Sequence, residues 1–118
     1  MRTLAKLAWL VPLALALACN GTPPRKTDAE LGLNPQQTRG RHIYDQQCLV
    51  CHEAYSSSDR NGPSLMGLYN KKFMVSGQPV NDERVHDIVV MGKSKMPAYQ
   101  GQLSEQDVQD LIAYMRTL

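Results

Sequence analysis

The stretch Cys48-Leu49-Val50-Cys51-His52 decides how the rest of this chain is read. Two thiols three positions apart on a helical turn face the same way, so both can add to the vinyl groups along one edge of a haem. The imidazole of the next residue, His52, then lies where it can reach the iron. C-x-x-C-H is the attachment pattern for c-type haem because it needs this spacing and these residue types together. Two other readings of a C-x-x-C pair find less support. A structural zinc site needs a second pair of ligands, and the remaining candidates, Cys19, His42 and His86, stand in no partnering pattern. A thioredoxin-like redox pair needs a βαβ setting, which is missing around these cysteines. The cofactor expected is one covalent haem c, held by Cys48 and Cys51 and ligated by His52.

The N-terminus agrees with this chemistry, which is completed outside the cytoplasm. Arg2 and Lys6 precede an apolar run from Leu7 to Ala18. That run falls short of the ~20 apolar residues a membrane-spanning helix needs. Residues 1–18 read as a signal peptide. Ala16-Leu17-Ala18 before Cys19 reads in two ways: as a lipobox, with Cys19 the lipid-modified first residue, or as an ordinary A-x-A cleavage site. The lipobox is the favoured reading, because a cysteine at the last position of the run is otherwise an accident. The expected location is the periplasmic side, membrane-anchored as a lipoprotein. Residues 19–33, polar and with two prolines, read as a flexible tether before a domain at 34–118.

Charge excludes one class of partner. The chain has 13 basic and 11 acidic residues; without Arg2 and Lys6 the two balance, so no nucleic-acid partner is implied. Loss of residues 1–18 also removes Trp9, leaving Phe73 and five tyrosines as aromatic bulk. So small a domain has little core volume, and a large buried cofactor helps to explain its folding.

The expected fold class is all-α, with three main helices. Asn34 caps the first, with Pro35 at its first position and Gln37 completing a capping box. Gly40, Ile43, Tyr44 and Cys48 share one of its faces. Asn81 caps the second, Val80 and Val85 form a hydrophobic staple, and Gly92 ends it. Ser104 and Asp107 cap the third, Leu103 and Val108 staple it, and Val108, Leu111, Ile112 and Met115 form its apolar stripe. Between the first two runs a long irregular loop, roughly 53–79, with a short helix expected near Leu65 to Tyr69. So long a loop needs something to organise it, and a cofactor packed against it meets that need.

Iron has a sixth position to fill. Met115 belongs to an apolar helix face and is expected in the core; Met91, at a helix end, is a further core candidate. Met66 and Met74 lie in the loop and are possible ligands. Met96 is favoured, because it sits in a turn between two helices, after Gly92-Lys93-Ser94-Lys95 and before Pro97. A thioether opposite a histidine is an electron-transfer arrangement.

These residues together resemble the class I (monohaem) cytochrome c family in its short bacterial form. The similarity is carried by Cys48 to His52, Gly62-Pro63-Ser64-Leu65, Met96-Pro97-Ala98-Tyr99 and Leu111-Ile112-Ala113-Tyr114, in the family's order, and covers 36–118. It implies a cytochrome c-like fold around a covalent haem, with Gly40 and Tyr44 meeting Leu111 and Tyr114 where the first and last helices cross. It implies that the Pro63 carbonyl accepts a hydrogen bond from the non-ligating nitrogen of His52. It also implies a single-electron carrier rather than an enzyme. Its redox partners are then a quinol-oxidising complex or dehydrogenase as donor and a terminal oxidase or reductase as acceptor. Lys71, Lys72, Lys93 and Lys95 flank the methionine side, where the family steers acidic partners; ordinary solvated surface is the alternative. The chain departs from many members in lacking a tryptophan near a haem propionate, a place that Tyr69, Lys71 or Lys72 could take. The alternatives to a carrier are a haem-based gas-binding sensor and a haem subunit of a larger oxidoreductase.

Overall fold

A computed structural model describes residues 25–118. The expected signal peptide, 1–18, and Cys19 lie outside the described residues. Three α-helices, α1 (Pro35–Gln47), α2 (Asp82–Met91) and α3 (Glu105–Met115), are joined by loops with one 3-10 turn, Leu68–Asn70. The described residues form only isolated β-bridges, so the fold is all-α.

The helix starts follow from local chemistry. The Asn34 side chain accepts from the Gln37 amide while the Gln37 side chain accepts from Asn34, and Ser104 and Asp107 repeat this box at α3. Asn81 accepts from the Arg84 amide at α2, and Gly92, at φ 71°, ends that helix in a conformation costly to any residue with a Cβ. Each box satisfies amides that the helix itself leaves unpaired.

α1 and α3 cross at closest approach, and Gly40 makes the crossing possible. A Cβ there would overlap the Asp110 carbonyl and lie 2.9 Å from the Tyr114 Cβ. Tyr114 meets Gly40 and Tyr44 as the resemblance implied, and the backbone of Asp110 comes nearer to Gly40 still. Tyr44 and Tyr114, both fully buried, stack edge-on with centroids 5.3 Å apart. Their hydroxyls stay satisfied: Tyr44 donates to the His52 carbonyl at 2.7 Å, and Tyr114 shares a 2.6 Å hydrogen bond with Tyr55. Val108, Leu111, Ile112 and Met115 complete the core against Val85 and Val89 of α2. Burying each such aliphatic side chain stabilises by roughly 1.5–3 kcal/mol relative to leaving it in water.

Three sequence expectations shift. The short helix forms at Leu68–Asn70 and takes only part of the span expected for it. Met91 is 67% exposed rather than in the core, because α2 buries the side carrying Val85 and Val89 and turns its last residue outward. The described part of the expected tether, 25–33, is packed on the domain. Arg41 of α1 donates to Asp28 and to the Lys26 carbonyl, both at 2.6 Å, and Arg25 pairs with Asp45 at 2.8 Å.

Candidate functional site

The site begins where α1 stops. Cys48 is the C-cap of α1, one position beyond its last helical residue, and its amide donates to the Tyr44 carbonyl. The chain then makes one more turn, with the amides of Cys51 and His52 both donating to the Cys48 carbonyl, at 3.0 and 2.9 Å. Cys48 is buried and Cys51 half-buried, and neither is taken up in a disulfide. Burial, with Asp45 and Cys51 adding to it, pushes the Cys48 thiol up to about 12, so it stays protonated at neutral pH.

His52 is fixed in orientation and in tautomer. Its Nδ1 lies 2.7 Å from the Pro63 carbonyl oxygen. A carbonyl only accepts, so Nδ1 carries the proton and Nε2 keeps its lone pair for a metal. The Tyr44 hydroxyl donates to the His52 backbone carbonyl. Gly62 backs the ring so closely that a Cβ would lie 2.9 Å from Nδ1 and 3.0 Å from Nε2.

The loop after His52 is organised by its own hydrogen bonds. The Gly62 amide donates to the Cys51 carbonyl at 2.9 Å, and the Leu65 amide to the Glu53 carbonyl at 2.8 Å. Arg60 pairs with Glu53 and also donates to the Leu49 carbonyl. Ser64, buried, takes its amide to Asp59 and its hydroxyl to the Ser56 carbonyl. These bonds hold Pro63 against the histidine, which residue spacing alone does not disclose.

Met96 stands on a tight turn. Its amide and carbonyl both pair with Lys93, at 2.9 and 3.1 Å, and Ser94 between them has φ 53°. Gly92 lets the chain return onto the end of α2: a Cβ there would sit 2.7 Å from the Met96 carbonyl oxygen. The amides of Tyr99 and Gln100 then donate to the Val89 and Val90 carbonyls of α2. The Tyr99 hydroxyl donates at 3.0 Å to the carbonyl of Gln47, the residue before Cys48. The methionine turn is thus stitched to the helix end that carries the cysteines. Tyr99 and Gly62 are the contributors that sequence reasoning passed over; the only trace was their place inside two matched segments.

Other candidates fall into different places. Met115 is buried in the core, while Met66 is exposed and Met74 half-buried in the loop. Tyr69 gives its hydroxyl to Asp82 at 2.9 Å, with the Arg116 guanidinium over its ring, so that hydroxyl is already engaged. No three His, Cys, Asp or Glu among the described residues gather as a metal site.

The donor set fits a haem. Two thiols and an imidazole with a free Nε2 occupy one turn of chain. The core is edged by half-buried apolar groups, Leu49, Leu65, Met74, Val80, Val90 and Met96, of the kind a flat apolar cofactor covers. Comparison with known proteins agrees. The profile described as "Cytochrome C oxidase, cbb3-type, subunit III" matches residues 35–115. The chain belongs to the cytochrome c family. A "Cytochrome c6-like" protein of Nostoc sp. is 35% identical over 94 residues, 80% of this chain and 75% of that protein. A "Cytochrome c-553-like" protein of Synechocystis sp. is 30% identical over 115 residues, 98% of this chain and 100% of that protein. As a cytochrome c, the chain binds a c-type haem covalently and belongs to the haem-based electron-transfer proteins.

Proposed function

We propose that this cytochrome carries single electrons between protein partners outside the cytoplasmic membrane, with Cys48 and Cys51 forming the thioethers and His52 and Met96 the axial ligands. The observation that carries this reading is the 2.7 Å hydrogen bond from His52 Nδ1 to Pro63. It presents Nε2 as a ligand and raises its basicity. Bound haem supplies a one-electron couple whose two oxidation states keep the same ligands. The chain's part is to hold those ligands still. Tyr44 and Pro63 clamp His52, while Gly92, Lys93 and Tyr99 clamp the Met96 turn. A site this braced changes little between oxidation states. Cleavage after Ala18 and lipid on Cys19 would keep the protein at the periplasmic face of a membrane. Donors of the quinol-oxidising or dehydrogenase type, and acceptors of the oxidase or reductase type, suit that location.

Charge supports a protein partner. Among the described residues every arginine is ion-paired, whereas Lys71, Lys72, Lys93 and Lys95 are exposed and make no ion pair. Free surface cations of this kind steer acidic partners. Association should therefore weaken as salt rises from 0.01 to 0.1 M, where the screening length contracts from ~30 to ~10 Å. The decisive experiment is the optical spectrum of the holoprotein, oxidised and reduced, with and without carbon monoxide. A low-spin spectrum with the weak long-wavelength band of iron–methionine ligation, unmoved by carbon monoxide, supports the carrier. A carbon monoxide shift would refute it in favour of a gas-binding protein.

A further inference from the structure

We propose that residues 25–33 form a strap that turns the cysteine-bearing end of the domain toward the membrane. This inference rests on the reading of Cys19 as a lipid anchor. The strap lies on α1 along Thr38, Arg41, His42 and Asp45, which line the groove it makes with Arg25 to Asp28. Positions three, four and seven apart make a single stripe of a helix, and this one is distinct from the Gly40–Tyr44 stripe against α3. Arg41, on that stripe, is only 8% exposed. A cation is buried this far only when its donors are matched. Asp28, the Lys26 carbonyl and, at 3.9 Å, Asp45 match them. A reversal then follows: Leu31, Gly32 and Leu33 donate to the carbonyls of Thr27, Ala29 and Asp28, with Gly32 at φ 65°.

The direction of the strap carries the functional consequence. Arg25 reaches Asp45 near the C-terminal end of α1, while the strap rejoins the helix at Asn34. The strap therefore runs antiparallel to α1, from Asn34 back toward Asp45, which stands three positions before Cys48. Asp45 lies about 17 Å along the helix from Asn34, at ~1.5 Å per residue, so the exit point has moved along α1 to within an arginine's reach of that level. Only residues 20–24 separate Cys19 from the strap. Their greatest span is about 20 Å, against about 50 Å if everything up to Asn34 were free. An anchor at Cys19 then holds the turn bearing Cys48, the exposed Val50 and Cys51 close to the bilayer surface. The partner that fits this geometry is a redox protein embedded in the same membrane, approached from the cysteine end.

Two measurements on the full-length holoprotein test the inference separately from the anchor reading. Hydrogen exchange in soluble Cys19→Ser protein reads the strap alone. Protected amides at Leu31, Gly32 and Leu33, released in Arg25→Gln/Asp28→Asn with α1 still protected, are the expected result. Exchange at unstructured-peptide rates in the parent overturns the proposal whatever the lipid does. Linear dichroism of the haem bands on oriented bilayers reads the orientation. Marked dichroism in the native protein, lost in the double variant while both stay bound, is expected. Equal dichroism in the two, or none in the bound native protein, overturns the orientation. Should Cys19→Ser remain on the bilayer, the anchor reading fails, and the orientation drawn from it fails with it.

Discussion

Replacing Gly62 by alanine tests the clamp on His52 most directly. The new Cβ would press on the imidazole, 2.9 Å from Nδ1 and 3.0 Å from Nε2 and nearer still to Cε1. Carbon contacts settle at ~3.5–4.0 Å, so the ring and the Gly62–Pro63 backbone must part by about 1 Å. The Nδ1 to Pro63 hydrogen bond, now 2.7 Å, would stretch past the ~3.2 Å at which such bonds hold. A bond of this kind is worth about 0.5–1.5 kcal/mol. Because it makes the imidazole a stronger donor and so favours ferric iron, its loss should raise the reduction potential. At about 59 mV per 1.4 kcal/mol for one electron, the whole of that energy corresponds to roughly 20–65 mV. That figure bounds the rise from above, because only the part differing between ferric and ferrous iron counts. Spectroelectrochemical titration of holoprotein reads the shift, and ring NMR of His52 reads the lost hydrogen bond. An unchanged or lowered potential in a correctly haem-loaded variant would refute the reasoning.

Three other changes probe the remaining supports. Met96→Ala should remove the long-wavelength band, admit carbon monoxide and lower the potential; an unaltered spectrum would exclude Met96 as ligand. Gly40→Ala gains ~1 kcal/mol in helix propensity but forces α1 off the Asp110 carbonyl, where overpacking costs up to ~3 kcal/mol. Denaturant unfolding should show a net loss of about 2 kcal/mol, and a stabilised variant would mean that the helices do not pack here. Asp110, buried, is held below the usual carboxylate range by Arg39, with Gln106 adding a hydrogen bond. Because its folded pKa is the lower one, its contribution is present above the unfolded value of about 3.9 and is lost as pH falls through the folded one. Asp110→Asn should therefore be less stable at pH 7 and lose less on acidification below pH 4, as thermal melts across that range would show.

Short-range chemistry was legible in the sequence. Asn34, Asn81 and Ser104 cap the helices they were expected to cap, because a cap depends on side chains within three or four positions of the amides they serve. The C-x-x-C-H spacing identified the cofactor for the same reason, since thiols and imidazole act from a single turn of chain. The matched segments pointed to the family, and the Pro63 partner of His52 came with that resemblance.

Contacts between distant segments were decided only by the tertiary structure. Nothing local says that Gly40 meets the Asp110 backbone, or that Tyr99 binds the Gln47 carbonyl fifty-two positions away. Met91 ends a well-formed apolar pattern, yet its exposure depends on where α3 crosses α2. The segment 25–33 shows this most clearly, since its composition is that of a solvated linker. It is ordered because Arg41, on the side of α1 away from α3, needs acceptors, and Asp28 and Lys26 supply them once the chain doubles back. Periodicity records which side of a helix is apolar, but a buried cation's partners are found only by folding.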